Sequence, residues 1–254
     1  MVQGDERQQL ILERARGQGS VGVRVLAREL DVSSETIRRD LRVLESYGLL
    51  RRTHGGAYPV ETRSFETSWE TRTRRLVPEQ RRIAAAAVGL IGPAETVFVD
   101  EGSTPELVAE ALPGDRPLTV VTAALAVAHR LSRRENTTVI LLGGQVRRST
   151  RSVAGPWVEQ MLSEFVIDLA FVGANGISWE HGLTTPEPAA AKIKAQVMKV
   201  SRRKVFCGVH TTFGAVGFCR FADVREFEAI ITDTGLPLAQ ARPFAREGGR
   251  VLRV

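Results

Sequence analysis

The chain has 254 residues, 43% hydrophobic and 25% charged, with a formal net charge of +6. That composition excludes a disordered or fibrous protein, and the length admits one large domain or a small one joined to a medium one. No apolar run approaches the roughly 20 residues that cross a bilayer, and the basic surplus is compatible with a polyanionic partner without assigning one.

Residues 7–16 (RQQLILERAR) read as a first short helix with Leu10, Ile11 and Ala15 on one face, stopped by Gly17-Gln18-Gly19. Residues 23–30 (VRVLAREL) read as a second, with Val23, Leu26, Ala27 and Leu30 inward, and Asp31-Val32-Ser33 as a turn. A third helix is predicted over about 34–47, with Ile37, Leu41 and Leu44 inward at spacings of four and three and Ser33 or Ser34 as its cap. Gly48 ends it, and LLRRTHGGA follows as a hairpin with a Gly-Gly tip. Residues 58–78 form a polar connector in which Phe65 and Trp69 offer an apolar stripe.

From residue 79 the pattern becomes helices alternating with short β-branched runs. The runs are Thr96–Asp100, Leu118–Thr122, Thr137–Leu142, Leu169–Val172, Lys204–Val209, Ala229–Thr232 and Arg250–Val254. Helices are expected over 79–91, 105–112, 123–132, 156–165 and 186–201. Such alternation predicts an α/β fold with a doubly wound, largely parallel sheet. The expected division is 1–57, a unit of short helices with a hairpin; 58–78, a linker; and 79–254, an α/β unit. Cys207 and Cys219 have no metal-ligand spacing and suit a reducing compartment. With no secretion signal in MVQGDERQQL, the sequence reads as cytoplasmic, with neither a cofactor nor a metal.

Two short helices, a tight turn and a third helix can set that last helix in the DNA major groove. Its outward face carries Ser34, Glu35, Arg38, Arg39 and Arg42. Arginines there reach guanine O6 and N7 or phosphates, and Ser33, Ser34 and Thr36 can donate to phosphates. The hairpin adds Arg51, Arg52, Thr53 and His54. The charge pattern alone also fits a packing module whose arginines are merely solvated. The wording VSSETIRRDLRVLESYGLLRRTHGGA, extended back to RQQLILERA, resembles the DNA-binding signature of the DeoR family of sugar-operon regulators. The resemblance implies a winged helix-turn-helix bound to double-stranded operator DNA.

In the second region, loops after the predicted strands gather glycine and hydroxyl residues. VFVDEGSTPELVAEAL runs from strand to helix through Gly102, Ser103 and Thr104, and Thr122 ends the next strand. Gly143-Gly144 precede Arg147, Arg148 and Arg151, and Gly173-Ala174-Asn175-Gly176 follow another strand. Open α/β sheets bind ligands beyond such strand ends, where helix N-termini aim N–H groups at anions. The motif order D-x-GST, VVT, LLGG, D-x-AF-x-GA-x-GI, GLTT and a terminal I-x-TD resembles the sensor domain of the same family, related in fold to ribose-5-phosphate isomerase. That resemblance assigns Asp100, Gly102, Ser103, Thr104, Thr122, Gly143, Gly144, Gly173, Asn175, Gly176 and Lys194 to an effector pocket for a sugar or sugar phosphate. It departs from the family at Ala190, where a glutamate is common, and at Val209-His210-Thr211-Thr212-Phe213-Gly214, where D-x-S-K-F-G is common.

A sugar-phosphate isomerase is the alternative. It needs a carboxylate to move a proton between carbons, and Asn175 stands where the isomerase relatives carry acids. The expectation is therefore a non-enzymatic regulator acting as a homodimer or tetramer. A repressor released by its effector is expected, and an activator fits the same residues.

Overall fold

The computed structural model describes residues 7–8, 10–12, 14–15, 20–46, 50–53, 55–59, 76–147, 150–245 and 249–254. The expected stops at residues 17–19 and 48, His54, Phe65, Trp69 and Arg148 lie outside the described residues. The chain divides into two compact units, Met1–Phe65 and Glu66–Val254.

In the first unit the described positions within 7–15 are helical. Ile11, Leu12 and Ala15 are buried, whereas Leu10, expected inward, is 39% exposed. At about 100° per residue, Leu12 lies roughly 60° from Ala15 and Leu10 roughly 140° from it, so the face that holds Ile11 and Ala15 takes Leu12. Helix α1 (Val23–Glu29) buries Val23 and Leu26. Asp31 then turns the chain with φ 49°, left-handed backbone that aspartate tolerates better than most residues. Helix α2 (Ser34–Ser46) follows, and its Ile37, Leu41 and Leu44 are all buried against Ile11, Leu26 and Leu50.

Strands β1 (Val21–Gly22), β2 (Leu50–Thr53) and β3 (Gly56–Pro59) form an antiparallel sheet in the order β1-β3-β2. A Cβ on Gly56 would stand 2.2 Å from the Val21 carbonyl oxygen, so only glycine lets β3 close on β1. Strand β3 runs to Pro59, two residues past the expected limit, because Arg51 and Leu50 of β2 pair with Tyr58 and Pro59.

The second unit opens with α3 (Val77–Val88), β4 (Thr96–Val99), α4 (Ser103–Ala111), β5 (Leu118–Thr122), α5 (Leu125–Leu131) and β6 (Thr137–Leu141). A hairpin of β7 (Gln145–Arg147) and β8 (Ser152–Ala154) leads into α6 (Pro156–Ser163) and β9 (Ile167–Val172). Next come β10 (Gly176–Ser178), β11 (Gly182–Thr185), α7 (Pro188–Val200), β12 (Ser201–Cys207) and β13 (Cys219–Ala222). The chain closes with β14 (Ala229–Thr232), α8 (Leu238–Ala245) and β15 (Arg250–Arg253). Seven strands make a parallel sheet in the order β15-β14-β12-β9-β4-β5-β6. Strands β10, β11 and β13 make a separate small antiparallel sheet.

Alternation along the strands fills both faces of the large sheet. Val97, Val99, Leu169, Phe171, Val205 and Cys207 pack with Ile83 of α3, Val108 of α4 and Val127 of α5. Phe98, Ala170, Val172 and Phe206 pack on the opposite side with Leu162 of α6, Val197 of α7 and Phe244 of α8. Phe98, Phe171 and Phe206 are fully buried, each contributing about 2–3 kcal/mol of transfer free energy.

The topology fixes where a ligand can enter. From β4 the chain runs outward through β5 to β6, then returns to β9 on the other side of β4. The topological switch point therefore falls at the carboxyl ends of β4 and β9, the place where doubly wound sheets bind ligands.

Candidate functional site

Two surfaces carry the residues singled out in the sequence. On the first unit, Arg38, Arg39 and Arg42 stand exposed on α2. Glu35 bridges two of them, accepting from Arg38 Nη1 at 3.3 Å and from Arg42 Nη2 at 2.6 Å; Arg39 makes no ion pair among the described residues. Ser33 is the helix cap, its Oγ accepting the Thr36 N–H at 3.0 Å, and the two hydroxyls pair at 2.9 Å. Ser33 and Thr36, expected as phosphate donors, thus already serve the helix end. Arg51 is exposed on β2. Arg52 instead ties the wing to α2: its Nε bonds Glu45 Oε2, and its backbone N–H donates to Glu45 Oε1 at 3.1 Å. The Arg52 side-chain bond is the main reason the Glu45 carboxyl titrates below its ordinary value.

Two features of this unit escaped the sequence reading. Asp40 is buried on α2 and accepts from Arg7 Nε at 2.6 Å, Arg7 Nη2 at 3.3 Å and Gln8 Nε2 at 3.1 Å. The pattern had marked the apolar face and the outward arginines of that helix and left Asp40 unassigned. A shallow groove lined by Arg24, Ala27, Arg28, Asp31, Val32 and Ser34 runs beside the start of α2. The i,i+4 spacing of Arg24 and Arg28 was the available signal for it.

On the second unit, the ends of β4 and β9 meet through Asp100 and Gly173. Asp100 Oδ2 accepts the Gly173 N–H at 2.9 Å and pairs with Lys194 Nζ from α7. Lys194 also donates to the Gly173 carbonyl at 3.1 Å and lies 5.6 Å from the centre of the Phe221 ring. Both members of the ion pair are about 5% exposed. Burial pushes the Asp100 carboxyl above its ordinary value, against the pull of the Lys194 ammonium.

Glu101 faces Arg147 Nη1 at 3.2 Å and accepts from the Ser152 hydroxyl; Arg147 in turn pairs with Glu187. Burial opposes ionisation of Glu101, but Lys194, Arg147 and the hydroxyls of Ser152 and Thr150 outweigh it and hold the carboxyl below its usual value. The β7–β8 hairpin, which supplies Arg147 and Ser152, had read as loop. Two cations, Lys194 and Arg147, are thus already set against three carboxylates.

The group best placed to receive an anion is the N-terminus of α4. Gly102 has φ 118°, a conformation side chains rarely adopt, and it leads directly into Ser103 and Thr104. The first intrahelical bond runs from Glu106 N–H to the Gly102 carbonyl at 3.0 Å, so the Ser103 and Thr104 N–H groups precede the helical ladder. Ser103 Oγ accepts from Gln80 Nε2 of α3 at 2.8 Å. Asn175 follows β9, its Oδ1 accepting from Thr185 at 3.1 Å.

Three expected pocket residues have other work. Thr122 is fully buried; its hydroxyl donates to the Val99 carbonyl at 2.7 Å and accepts the Ala124 N–H at 3.0 Å. Gly144 and Gly176 are places of close approach, where a Cβ would stand 2.7 Å from the Ala154 oxygen and 2.2 Å from the Ala215 oxygen respectively. Gly143 is exposed at the end of β6, its N–H 3.2 Å from Met161 Sδ. No cluster of three or more histidine, cysteine or acidic side chains suited to a metal occurs among the described residues, and none of their helices is long and apolar enough to cross a membrane.

A winged helix-turn-helix unit with arginines on its third helix, joined to an α/β unit with polar groups gathered at its switch point, is the build of a DNA-binding regulator carrying its own ligand sensor. The DeoR-like helix-turn-helix domain matches residues 7–63 and the DeoR C-terminal sensor domain residues 76–234. The chain belongs to the DeoR family of DNA-binding transcriptional regulators.

The HTH-type transcriptional regulator GlpR of Haloferax volcanii is 34% identical over 90% of this chain and 89% of its own length. The glycerol-3-phosphate regulon repressor of Escherichia coli is 31% identical over 92% of each chain. Transcriptional repressor AccR of Agrobacterium fabrum is 31% identical over 91% of this chain and 90% of its own. Among solved structures, ribose 5-phosphate isomerase A from Neisseria gonorrhoeae superposes with a TM-score of 0.39 at 17% identity, over 54% of this chain and 53% of that one.

Proposed function

We propose that this protein acts in the cytoplasm as a homo-oligomeric repressor of a carbohydrate-catabolism operon, released from its operator by a sugar phosphate or related sugar metabolite. The observation that carries the effector half is the set of polar groups gathered at the carboxyl ends of β4 and β9. There the opened N-terminus of α4, with Ser103 and Thr104, lies beside the buried Asp100–Lys194 pair. Helix N–H groups and hydroxyls suit phosphate oxygens, while Asn175 and the carboxylates suit sugar hydroxyls. Relatives named as repressors, one of them of a glycerol-3-phosphate regulon, support the same reading.

For the DNA half, Arg38, Arg39 and Arg42 read base edges, and Arg24, Arg28, Ser34 and Arg51 hold phosphates. Two subunits set two α2 helices one helical turn apart on a repeated operator. To move the protein from mostly bound to mostly free, the effector must favour the low-affinity state by several kcal/mol, about 5.5 for a full reversal.

The test is fluorescence anisotropy on the promoter region of the protein's own operon, with a panel of sugar phosphates and free sugars. Arg38→Ala with Arg39→Ala is expected to abolish operator binding and leave the second unit folded. Ser103→Ala with Thr104→Ala is expected to bind the operator normally and lose the effector response. Unchanged operator affinity in the first variant removes the recognition-helix assignment; an unchanged effector response in the second moves the pocket elsewhere.

A further inference from the structure

The bridge made by Glu35 has a bearing on how the regulator discriminates among DNA sequences; the inference rests on α2 being the helix that enters the groove. We propose that Glu35 is a specificity-determining residue: its carboxylate occupies Arg38 and Arg42 on arbitrary duplex and releases them only where a cytosine amino group takes their place. Both of its oxygens are used, Oε2 by Arg38 and Oε1 by Arg42, so one acidic side chain engages guanidiniums three and seven residues further along the helix. The three side chains are 54–66% exposed. Ion pairs that open to water contribute little to folding, and the burial of Ile37, Leu41 and Leu44 already holds the helix in place.

Glu35 therefore acts on what approaches from outside. A phosphate must compete with the carboxylate for Arg38 and Arg42, and the carboxylate itself repels phosphate and the O6 and N7 acceptors of guanine. The cytosine N4 amino group is the major-groove donor that a glutamate accepts. At a site presenting that donor, Glu35 gains a partner as its two arginines move to guanine or phosphate. Elsewhere the repulsion stays unrelieved. The carboxylate thus lowers affinity for random DNA more than for the operator, and specificity is the difference between the two.

The experiment compares the full chain with Glu35→Gln and Glu35→Ala. Each is titrated by anisotropy onto its promoter region and onto a random duplex of equal length, across 50–200 mM salt. Both variants are expected to bind the random duplex about 3- to 10-fold more tightly at 100 mM salt. Their slope of log K against log salt is expected to steepen by about 1 per bound subunit, as one more phosphate is neutralised. The ratio of operator to random affinity falls by at least the same factor. Unchanged random-duplex affinity and slope overturn the proposal, and so does parallel weakening on both duplexes, which is what a glutamate that merely stabilised α2 would give. Retained operator binding in the Arg38→Ala, Arg39→Ala protein would instead remove α2 from the groove, a failure readable separately from that of Glu35.

Discussion

Replacing Lys194 with methionine removes an ammonium of which about 5% is exposed and leaves Asp100, equally buried, beside Gly173 without its cation. Breaking a buried ion pair from one side costs about 3–5 kcal/mol. For a unit of 150–250 residues each kcal/mol lowers the melting temperature by about 2–4 °C, so a drop of roughly 6–20 °C is expected. Burial already raises the Asp100 carboxyl, and loss of Lys194 raises it further. The folded state of the variant then binds a proton that the unfolded chain has released. Stability therefore falls as pH rises through the interval between the unfolded and folded values, so the deficit is larger at pH 8 than at pH 5.5. Pairing the change with Asp100→Asn leaves no buried charge, and the double variant is expected to recover more than about 2 kcal/mol relative to additivity. Thermal and urea unfolding by circular dichroism at both pH values measures all three quantities. A deficit below about 1 kcal/mol, a deficit independent of pH, or strict additivity would refute charge compensation as the glue between β4, β9 and α7.

Asp40→Ala deletes the acceptor of three hydrogen bonds from Arg7 and Gln8; a loss of about 1–3 kcal/mol from the first unit is expected, and unfolding followed in that unit checks it. Glu106, whose carboxyl is pushed up to about 7 by burial despite the nearby Arg130 and Arg151, holds a proton in the folded protein that the unfolded chain releases near pH 4.5. Its contribution is present at acid pH and lost as pH rises through about 7, so Glu106→Gln should flatten the fall in unfolding free energy between pH 5.5 and 8 by an amount on the order of 1 kcal/mol after solvent screening. An identical pH profile in the variant would show that this carboxyl is not protonated in the fold. Gly176→Ala drives a Cβ to 2.2 Å from the Ala215 backbone and is expected to cost about 2–3 kcal/mol, read as a lower urea midpoint.

Local periodicity carried most of the architecture. Ile37, Leu41 and Leu44 repeat at helical spacing because one face of α2 must reach the core, and all three are buried. Leu118–Thr122 and Ala229–Thr232 are strands with the bounds read from their β-branched runs. Strand β9 instead begins at Ile167, ahead of the expected Leu169, and β12 begins at Ser201, where the ladder with Ile167 recruits residues of weaker strand propensity. The β7–β8 hairpin is only three residues on each side; it is held by Val153 and Ala154 in the core and by Arg147 and Ser152 meeting Glu101, contacts no short window contains. The site was legible as loops and motifs and illegible as contacts. Asp100 and Lys194 are 94 positions apart, and their union depends on β4 and β9 lying side by side. The structural partners of Thr122, Gly144 and Gly176 were hidden for a related reason: a threonine or glycine after a strand looks the same whether it meets a ligand or another piece of backbone.

Sequence-specific duplex binding that a metabolite reverses is tested most directly by one titration of the full-length protein. It is run on its own promoter fragment and on a scrambled fragment at a fixed 150 mM salt, before and after adding sugar phosphates singly. The expected result is a preference for the promoter of at least about 10³, collapsing when one member of the panel is added. Equal, weak and salt-sensitive binding to both fragments, unaffected by every sugar tried, would contradict it.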